Sequence, residues 1–269
     1  MTEDLRSELD AVLAADDPTD GLWELVDSGR ALEIVPELPA LRLEQDPVHR
    51  HKDVLTHTIA VTAKTPARPV LRLAALFHDI GKPATRAIID GEVTFRNHEA
   101  VGAKMTKRRL RALGYDDGTV RSVAELVRLS GRFKGYADGW TDAAVRRYAR
   151  DAGPLLGELN ELVRCDCTTR NRAKADRLRE QVDAFEDRIA ALAAEDRRRA
   201  ERPAIDGGRV MELLGLPPGP LVGAAVRHLL ACKRAGTATD EAAAEAALRA
   251  WWAALPEDQR TQAPLSSER

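Results

Sequence analysis

Apolar residues recur every three or four positions along most of this chain of 269 residues, and that spacing predicts amphipathic helices. The segment 84–95 differs, because two short apolar stretches flank Asp90-Gly91, a dipeptide typical of a two-residue β-hairpin turn. Helices are predicted over residues 3–14, 20–27, 50–64, 70–78, 98–113, 117–129, 141–151, 154–165, 171–199, 208–214, 221–233 and 239–254. The pattern therefore predicts an all-α fold with one short β-hairpin.

Several predicted helix ends coincide with residues that break or cap helices. Gly81 and Pro83 are expected to stop the helix over 70–78. Asn97 is expected to cap the helix that follows the hairpin. The helical pattern is interrupted again at Pro203, so we expect a separate helical tail after it.

The composition is that of a soluble protein rich in helix formers. Charged residues make up 31% of the chain, aromatic residues 4%, and the formal net charge is −2. This balance excludes a global positive field for nucleic acid, so any basic surface must be local. Three cysteines do not make a disulfide framework. Because the sequence has no membrane-length apolar stretch and no signal-peptide pattern, we expect a cytoplasmic protein without a membrane partner.

The pair His78-Asp79 closes the apolar segment 71–77. Asp79 is then expected in or just past the last turn of a helix, where the helix dipole disfavours a carboxylate. A bound cation reverses that penalty, because its charge outweighs the local dipole. We therefore interpret the pair as half of a metal site, with a purely structural pair as the alternative.

Two other predicted helices carry a possible ligand on an apolar stripe. His57 lies between Val54 and Val61 at helical spacing. Asp166 follows Leu162 at i+4, and a buried aspartate needs a cation or several hydrogen-bond donors. Two imidazoles and two carboxylates form a mixed nitrogen and oxygen set that suits a divalent ion such as Mn, Ni, Co, Mg, Fe or Zn.

His57, His78-Asp79 and Asp166, in this order and at these separations, resemble the HD superfamily of metal-dependent phosphohydrolases. The resemblance implies an all-helical core in which these four residues hold one divalent metal. It also implies hydrolysis of a phosphate ester, for which a metal ion activates water and polarises a phosphoryl oxygen.

Four residues are candidates for catalysis in such a site. Asp79 could accept a proton from water, and Lys82, Arg86 or His98 could offset negative charge on the phosphate. Lys82 and Arg86 could instead simply favour the end of a helix, and His98 could be an exposed residue of a first helical turn. His51 is interpreted as a helix-start residue near the ligands rather than as a ligand.

Longer segments of the chain resemble the C-terminal body of bacterial CCA-adding tRNA nucleotidyltransferases. These segments are 51–54, 73–86, 95–99, 140–147, 166–171, 206–211 and 215–223. The resemblance implies a neck-like helical segment at 1–47, an HD domain at 48–170, a long connecting helix at 171–200 and a helical tail at 201–269.

Two features depart from that family pattern. The sequence has no Gly-Ser-rich loop followed by an Asp-x-Asp pair, so we do not expect this chain alone to add nucleotides. Ser130 stands where the family usually has a histidine that helps to bind a second metal. This difference favours a single metal, or a role for His98 as a phosphate contact or general acid.

The expected substrates are phosphorylated nucleotides or RNA-end phosphates such as 2′,3′-cyclic phosphates, and tRNA is a possible partner. One alternative is a tRNA-docking body whose partner is a separate nucleotidyltransferase head. Another is a degenerate remnant that acts as an interaction module, against which the retained His78-Asp79 pair argues.

A few basic or aromatic positions carry weaker hypotheses. Arg132 and Lys134 could line the same cleft, although surface exposure is the simpler interpretation. The basic stretches 104–111 and 164–179 could contact RNA phosphates or form solvated helix faces. The tryptophans at 251–252 are interpreted as packing residues, with base stacking as the alternative.

Overall fold

The computed structural model describes residues 2–43, 53–90, 92–168 and 171–261, and the structural statements below concern these residues. The chain forms two compact units, Met1–Leu192 and Ala193–Arg269. The described residues form helices and one two-stranded antiparallel sheet, which confirms the predicted all-α fold with a short hairpin.

The first unit contains α1 (Thr2–Ala14), α2 (Thr19–Asp27), α3 (Ala31–Ile34), α4 (Val54–Lys64), α5 (Pro69–Phe77), α6 (Lys82–Thr85), β1 (Ala87–Ile89), β2 (Glu92–Thr94), α7 (His98–Ala112), α8 (Asp117–Leu129), α9 (Asp142–Ala152) and α10 (Leu156–Cys165). Helix α11 (Arg172–Ala200) includes the boundary between the units, and the second unit continues with α12 (Gly207–Leu214), α13 (Pro220–Arg234), α14 (Glu241–Ala254) and α15 (Glu257–Thr261). Short 3-10 segments lie at Pro39–Leu41, Arg132–Asp138 and Gly153–Leu155.

Helix α5 lies in the middle of the first unit's core. All of its residues from Leu71 to Phe77 are buried, and it packs against α1, α4, α8 and α10. A helix that is apolar on nearly all sides suits a position surrounded by other helices. Because α5 ends inside the protein, the residues that follow it, His78 and Asp79, are buried as well.

One charged side chain of α5, that of Arg72, is buried and donates hydrogen bonds at the ends of two neighbouring helices. The Arg72 guanidinium donates to the carbonyl oxygens of Thr65 (2.9 Å), Leu13 (2.5 Å), Asp16 (3.0 Å) and Ala15. These carbonyls lie at the C-terminal ends of α1 and α4, where the last helical carbonyls have no partner within their own helix. Arg72 therefore joins α1, α4 and α5 through hydrogen bonds as well as packing.

Helix α7 packs along α8 and also against the short α6. The contact with α6 is close, because a Cβ atom placed on Gly81 would lie 2.1 Å from the His98 carbonyl oxygen and 2.7 Å from the Gly102 backbone nitrogen. Only a residue without a side chain allows this approach. The backbone after Asp79 is thereby brought against the first turn of α7.

Two predictions about helix ends are wrong. Gly81 and Pro83 were expected to stop the helix over 70–78, but α5 already ends at Phe77. Pro83 instead lies in the first turn of the next helix, α6, where its missing N–H is not needed. Asn97 precedes α7 but its side chain makes no capping hydrogen bond, since its backbone is left-handed (φ 61°) rather than extended as in a capping residue. The helix predicted over 50–64 begins at Val54 within the described residues, where the Asp53 carboxylate accepts from the Thr56 N–H at 2.8 Å.

The second unit has its own apolar core between α12, α13 and α14, including Val210, Leu229 and Leu248. Trp251 packs against that core, and its ring stacks on His228 with centroids 5.7 Å apart. These contacts agree with a packing role for this tryptophan. No helix in the described parts of the chain has the length and apolar character needed to cross a membrane.

Candidate metal centre

The end of α5 sets the position and the tautomer of His78. This residue is the C-cap of the helix, and its Nδ1 atom donates to the Ala75 carbonyl oxygen at 2.7 Å. A carbonyl can only accept, so the neutral ring carries its proton on Nδ1 and has its free electron pair on Nε2. Nε2 is the ring atom that faces the other candidate ligands.

His57 reaches the same point from α4. Its Nε2 atom lies 3.3 Å from His78 Nε2, and the two rings meet edge to face. The opposite ring atom, Nδ1, lies 3.0 Å from the Thr168 hydroxyl. A second hydrogen bond of this kind fixes the orientation of a histidine that uses its other nitrogen as a ligand.

Two carboxylates complete the group. Asp166 Oδ1 lies 3.0 Å from His57 Nε2 and 3.5 Å from His78 Nε2. Asp79 Oδ2 lies 3.3 Å from His78 Nε2 and 3.8 Å from His57 Nε2. Asp79 is buried, whereas Asp166 is half-buried, so the group is open on the Asp166 side.

These separations match the donor set of a single ion. Ligands about 2.1 Å from a metal lie about 3.0–3.4 Å from each other when they are adjacent around it. His57, His78 and Asp79 form a group whose potential ligand atoms all lie within 4.8 Å of one another. These three residues could hold a divalent ion, and Asp166 lies next to them through its contacts with both imidazoles.

The charges of these groups shift one another's pKa. Burial disfavours the charged form of His78, but the negative charges of Asp79 and Asp166 outweigh this effect and raise the pKa of His78 to about 10. Burial raises the pKa of Asp79 and of Asp166, yet the neighbouring imidazoles more than offset it and hold the pKa of both carboxyls well below the usual range. The two carboxylates therefore favour a cation at this point.

Asp79 has further partners beyond the histidines already described. The buried Lys82 ammonium donates to Asp79 Oδ2 at 2.7 Å and lies over the Phe95 ring, 5.6 Å from its centre. His98 Nε2 lies 3.4 Å from Asp79 Oδ1, while its Nδ1 donates to the Phe95 carbonyl oxygen at 2.8 Å. The two oxygens of Asp79 thus face different neighbours.

The structure brings together six of the seven residues proposed from the sequence. His57, His78, Asp79, Lys82, His98 and Asp166 form one cluster. Arg86 does not join it: the side chain is exposed at the end of α6 and has no hydrogen bond or ion pair to any described residue. His51 lies outside the described residues.

Some residues that contact the candidate site residues were not predicted from the sequence. Thr168 holds His57, and its place two residues after Asp166 was the available signal. Glu99, whose Oε2 lies 3.4 Å from His98 Nδ1, directly follows a candidate residue. The Ser130 hydroxyl donates to the Val127 carbonyl oxygen of its own helix at 3.0 Å, so it is held away from a ligand role.

Comparison with known proteins relates this chain to one protein family and to two longer enzymes. The family model described as "HD domain" matches residues 54–213. An A-adding tRNA nucleotidyltransferase of Deinococcus radiodurans is 32% identical over 259 residues, which cover 93% of this chain and 58% of that protein. A CC-adding tRNA nucleotidyltransferase of Thermus thermophilus is 32% identical over 262 residues, covering 93% and 56%.

The family match covers more than half of the chain and includes all four candidate ligands, and the chain therefore belongs to the HD-domain family. HD domains form a superfamily of metal-dependent phosphohydrolases, and a histidine and aspartate group that could hold a metal is present here. The similarity to tRNA nucleotidyltransferases is also confirmed, and the chain spans less than two thirds of the length of these two relatives.

Proposed function

We propose that this chain is a metal-dependent phosphohydrolase that acts on phosphate esters of nucleotides or RNA ends, such as a 2′,3′-cyclic phosphate. The observation that supports it most directly is the convergence of four side chains from three parts of the chain: the two histidine Nε2 atoms lie 3.3 Å apart, and each lies 3.0–3.8 Å from a carboxylate oxygen of Asp79 and of Asp166. The residues are His57, His78, Asp79 and Asp166.

In this proposal each of the four residues has a defined donor atom. His78 offers Nε2 because its Nδ1 is bound to a carbonyl, and His57 offers Nε2 because its Nδ1 faces Thr168. Asp79 and Asp166 offer carboxylate oxygens. When bound, a divalent ion supplies Lewis-acid activation of water and of the phosphoryl oxygen.

Asp79 and the residues around it are proposed to accept or donate protons and to offset negative charge. Asp79 is the proposed first acceptor of a proton from the attacking water, through Oδ1, the oxygen that does not bind the Lys82 ammonium. Because the pKa of Asp79 is held low, the proton would then pass to His98 Nε2, which lies 3.4 Å from Oδ1. Lys82 would offset the negative charge that develops on the phosphoryl oxygens. His98 is held by the Phe95 carbonyl with Nε2 directed at the centre, which suits a phosphate contact or a general acid.

The test is a turnover assay with Mn²⁺, Ni²⁺, Co²⁺ or Mg²⁺ on 2′,3′-cyclic nucleotides and on a generic phosphodiester. Asp79→Ala is expected to lower kcat by at least about 100-fold, because even partners of metal ligands cost 10–100-fold when removed. Asp117→Asn is the matched control, since this aspartate is exposed at the start of α8. Equal activity of Asp79→Ala and the wild type would overturn the proposal.

A second candidate is a tRNA-binding body without its own catalysis. It is favoured by the similarity to the two relatives, both of which are tRNA nucleotidyltransferases. This function predicts tight tRNA binding that weakens steeply with salt, together with no turnover of any phosphate ester in the presence of the four metals. Turnover that depends on Asp79 would exclude it as the sole function.

A further inference from the structure

A groove of about 480 Å³ lies next to His98, whose sequence neighbours Asn97 and Glu99 line it. It is formed by the start of α7, the end of α8, the segment after α8 and one face of α9. Its polar lining consists of Asn97, Glu99, Arg128, Arg132, Arg147 and Asp151.

One residue joins this groove to the centre. Glu99 lines the groove, and its Oε2 atom lies 3.4 Å from His98 Nδ1. The other ring nitrogen of His98, Nε2, lies 3.4 Å from Asp79 Oδ1. The His98 side chain therefore lies between Glu99, which lines the groove, and Asp79, the proposed proton acceptor.

The three arginines of the groove have more N–H donors than their ion pairs use, and the remaining donors are available to bind another anion. Arg132 Nη1 donates to Asp151 Oδ2 at 2.6 Å, and Arg147 Nε lies 3.7 Å from that same oxygen. One carboxylate is thus shared by two guanidiniums, each of which has five N–H donors. Arg128 is paired with Glu125, and both side chains are more than one third exposed.

Of these ion pairs, Arg128–Glu125 is more than one third exposed, whereas Arg132 and Asp151 are both half-buried, with 29% of each side chain exposed. Pairs between exposed side chains contribute little to stability, and guanidinium groups bind phosphate oxygens in a strong two-bond geometry. The Arg147 side chain is 69% exposed, so it can turn toward a ligand without unpacking the core. An anion in this groove would meet three guanidinium groups and the two carboxylates of Glu99 and Asp151.

We propose that this groove binds a backbone phosphate of an RNA chain whose terminal phosphate ester occupies the metal centre. The proposal rests on the proposed hydrolase function and deepens it, because it names the end of an RNA chain, rather than a free nucleotide, as the substrate. Because the arginines contribute to substrate binding, their substitution is expected to change KM.

The experiment compares a 2′,3′-cyclic mononucleotide with a short oligoribonucleotide that ends in the same cyclic phosphate. For Arg132→Gln and Arg147→Gln, KM for the oligonucleotide is expected to rise about tenfold more than KM for the mononucleotide, the usual effect of one charge-assisted hydrogen bond. Arg121→Gln is the matched control, because this side chain is exposed on α8, lies outside the basic stretches 104–111 and 164–179 and does not line the groove. Equal changes for both substrates, or no change, would overturn the proposal.

The substitution Asp151→Asn is expected to change KM for the oligonucleotide in the opposite direction. Removing the shared carboxylate frees Arg132 and Arg147, so KM for the oligonucleotide is expected to fall about threefold or more. A merely structural ion pair would instead lower the melting temperature and leave the ratio of the two KM values unchanged. That second result would contradict an anion site.

The same variants separate failure of the groove from failure of the hydrolase. If the wild type hydrolyses neither substrate, the hydrolase function fails, and binding of the fluorescent oligonucleotide, measured by anisotropy, then tests the groove alone. Weaker binding by Arg132→Gln and tighter binding by Asp151→Asn would support the groove. Unchanged binding in both variants would refute it.

Discussion

Gly81 lies so close to His98 that a Cβ atom at position 81 would stand 2.1 Å from the His98 carbonyl oxygen. This contact joins the loop that carries Asp79 to the first turn of α7. The same turn places His98 Nε2 3.4 Å from Asp79 Oδ1. The backbone contact therefore sets the geometry between two candidate catalytic side chains.

Gly81→Ala is expected to destabilise the fold by about 2–3 kcal/mol, because backbone atoms on both sides of the contact must move. Gly102→Ala is the matched control: its Cβ would lie 3.3 Å from the Gly81 nitrogen, a tight but smaller conflict. Urea unfolding of both variants measures the difference. Equal stability of the two variants would show that the backbone approach is not as close as described.

Arg72→Met is expected to lower the free energy of unfolding by about 3 kcal/mol, because several buried carbonyl oxygens at helix ends lose their donor. Arg68→Met serves as the control, since its ion pair with Glu158 is half exposed and 3.6 Å long. Thermal unfolding should show a clear loss for Arg72→Met and almost none for Arg68→Met. A loss of similar size in both would contradict the role given to Arg72.

Lys82→Met is expected to have opposite effects on metal binding and on turnover. The ammonium binds Asp79 Oδ2 at 2.7 Å and repels a nearby cation, so its removal should tighten Mn²⁺ binding about tenfold. Turnover should nevertheless fall about 100-fold, because a charge that stabilises the transition state is lost.

Calorimetric titration with Mn²⁺ and a turnover assay check both halves of the Lys82 prediction. Lys104→Met, on the exposed face of α7, controls for the loss of a lysine. Weaker Mn²⁺ binding in Lys82→Met would mean that the lysine supports the ligands rather than competing with the ion.

The sequence predicted α5 and α8 well because their apolar spacing is strong and continuous; α8 occupies Asp117–Leu129 as expected. The cluster of candidate ligands was predictable for a related reason. His78, Asp79 and Asp166 each follow a buried helix, and polar residues at such points need a partner inside the protein.

Other features depend on contacts between distant segments and left no local signal. The left-handed backbone of Asn97 and the 3-10 segment Arg132–Asp138 are examples. Arg72 looked like any charged residue, although its partners lie up to 59 positions away. Arg132 was expected at the surface or the cleft, but its shared partner Asp151 emerged only from the packing of α9.

The central claim is that His57, His78, Asp79 and Asp166 together hold one divalent ion. Isothermal titration with Mn²⁺, supported by elemental analysis of protein purified without chelator, tests it directly. The wild type is expected to bind one ion per chain, and Asp166→Ala to bind at least about 100-fold more weakly while keeping its helical circular dichroism. Full Mn²⁺ affinity in Asp166→Ala, or no bound ion in the wild type, would contradict the account.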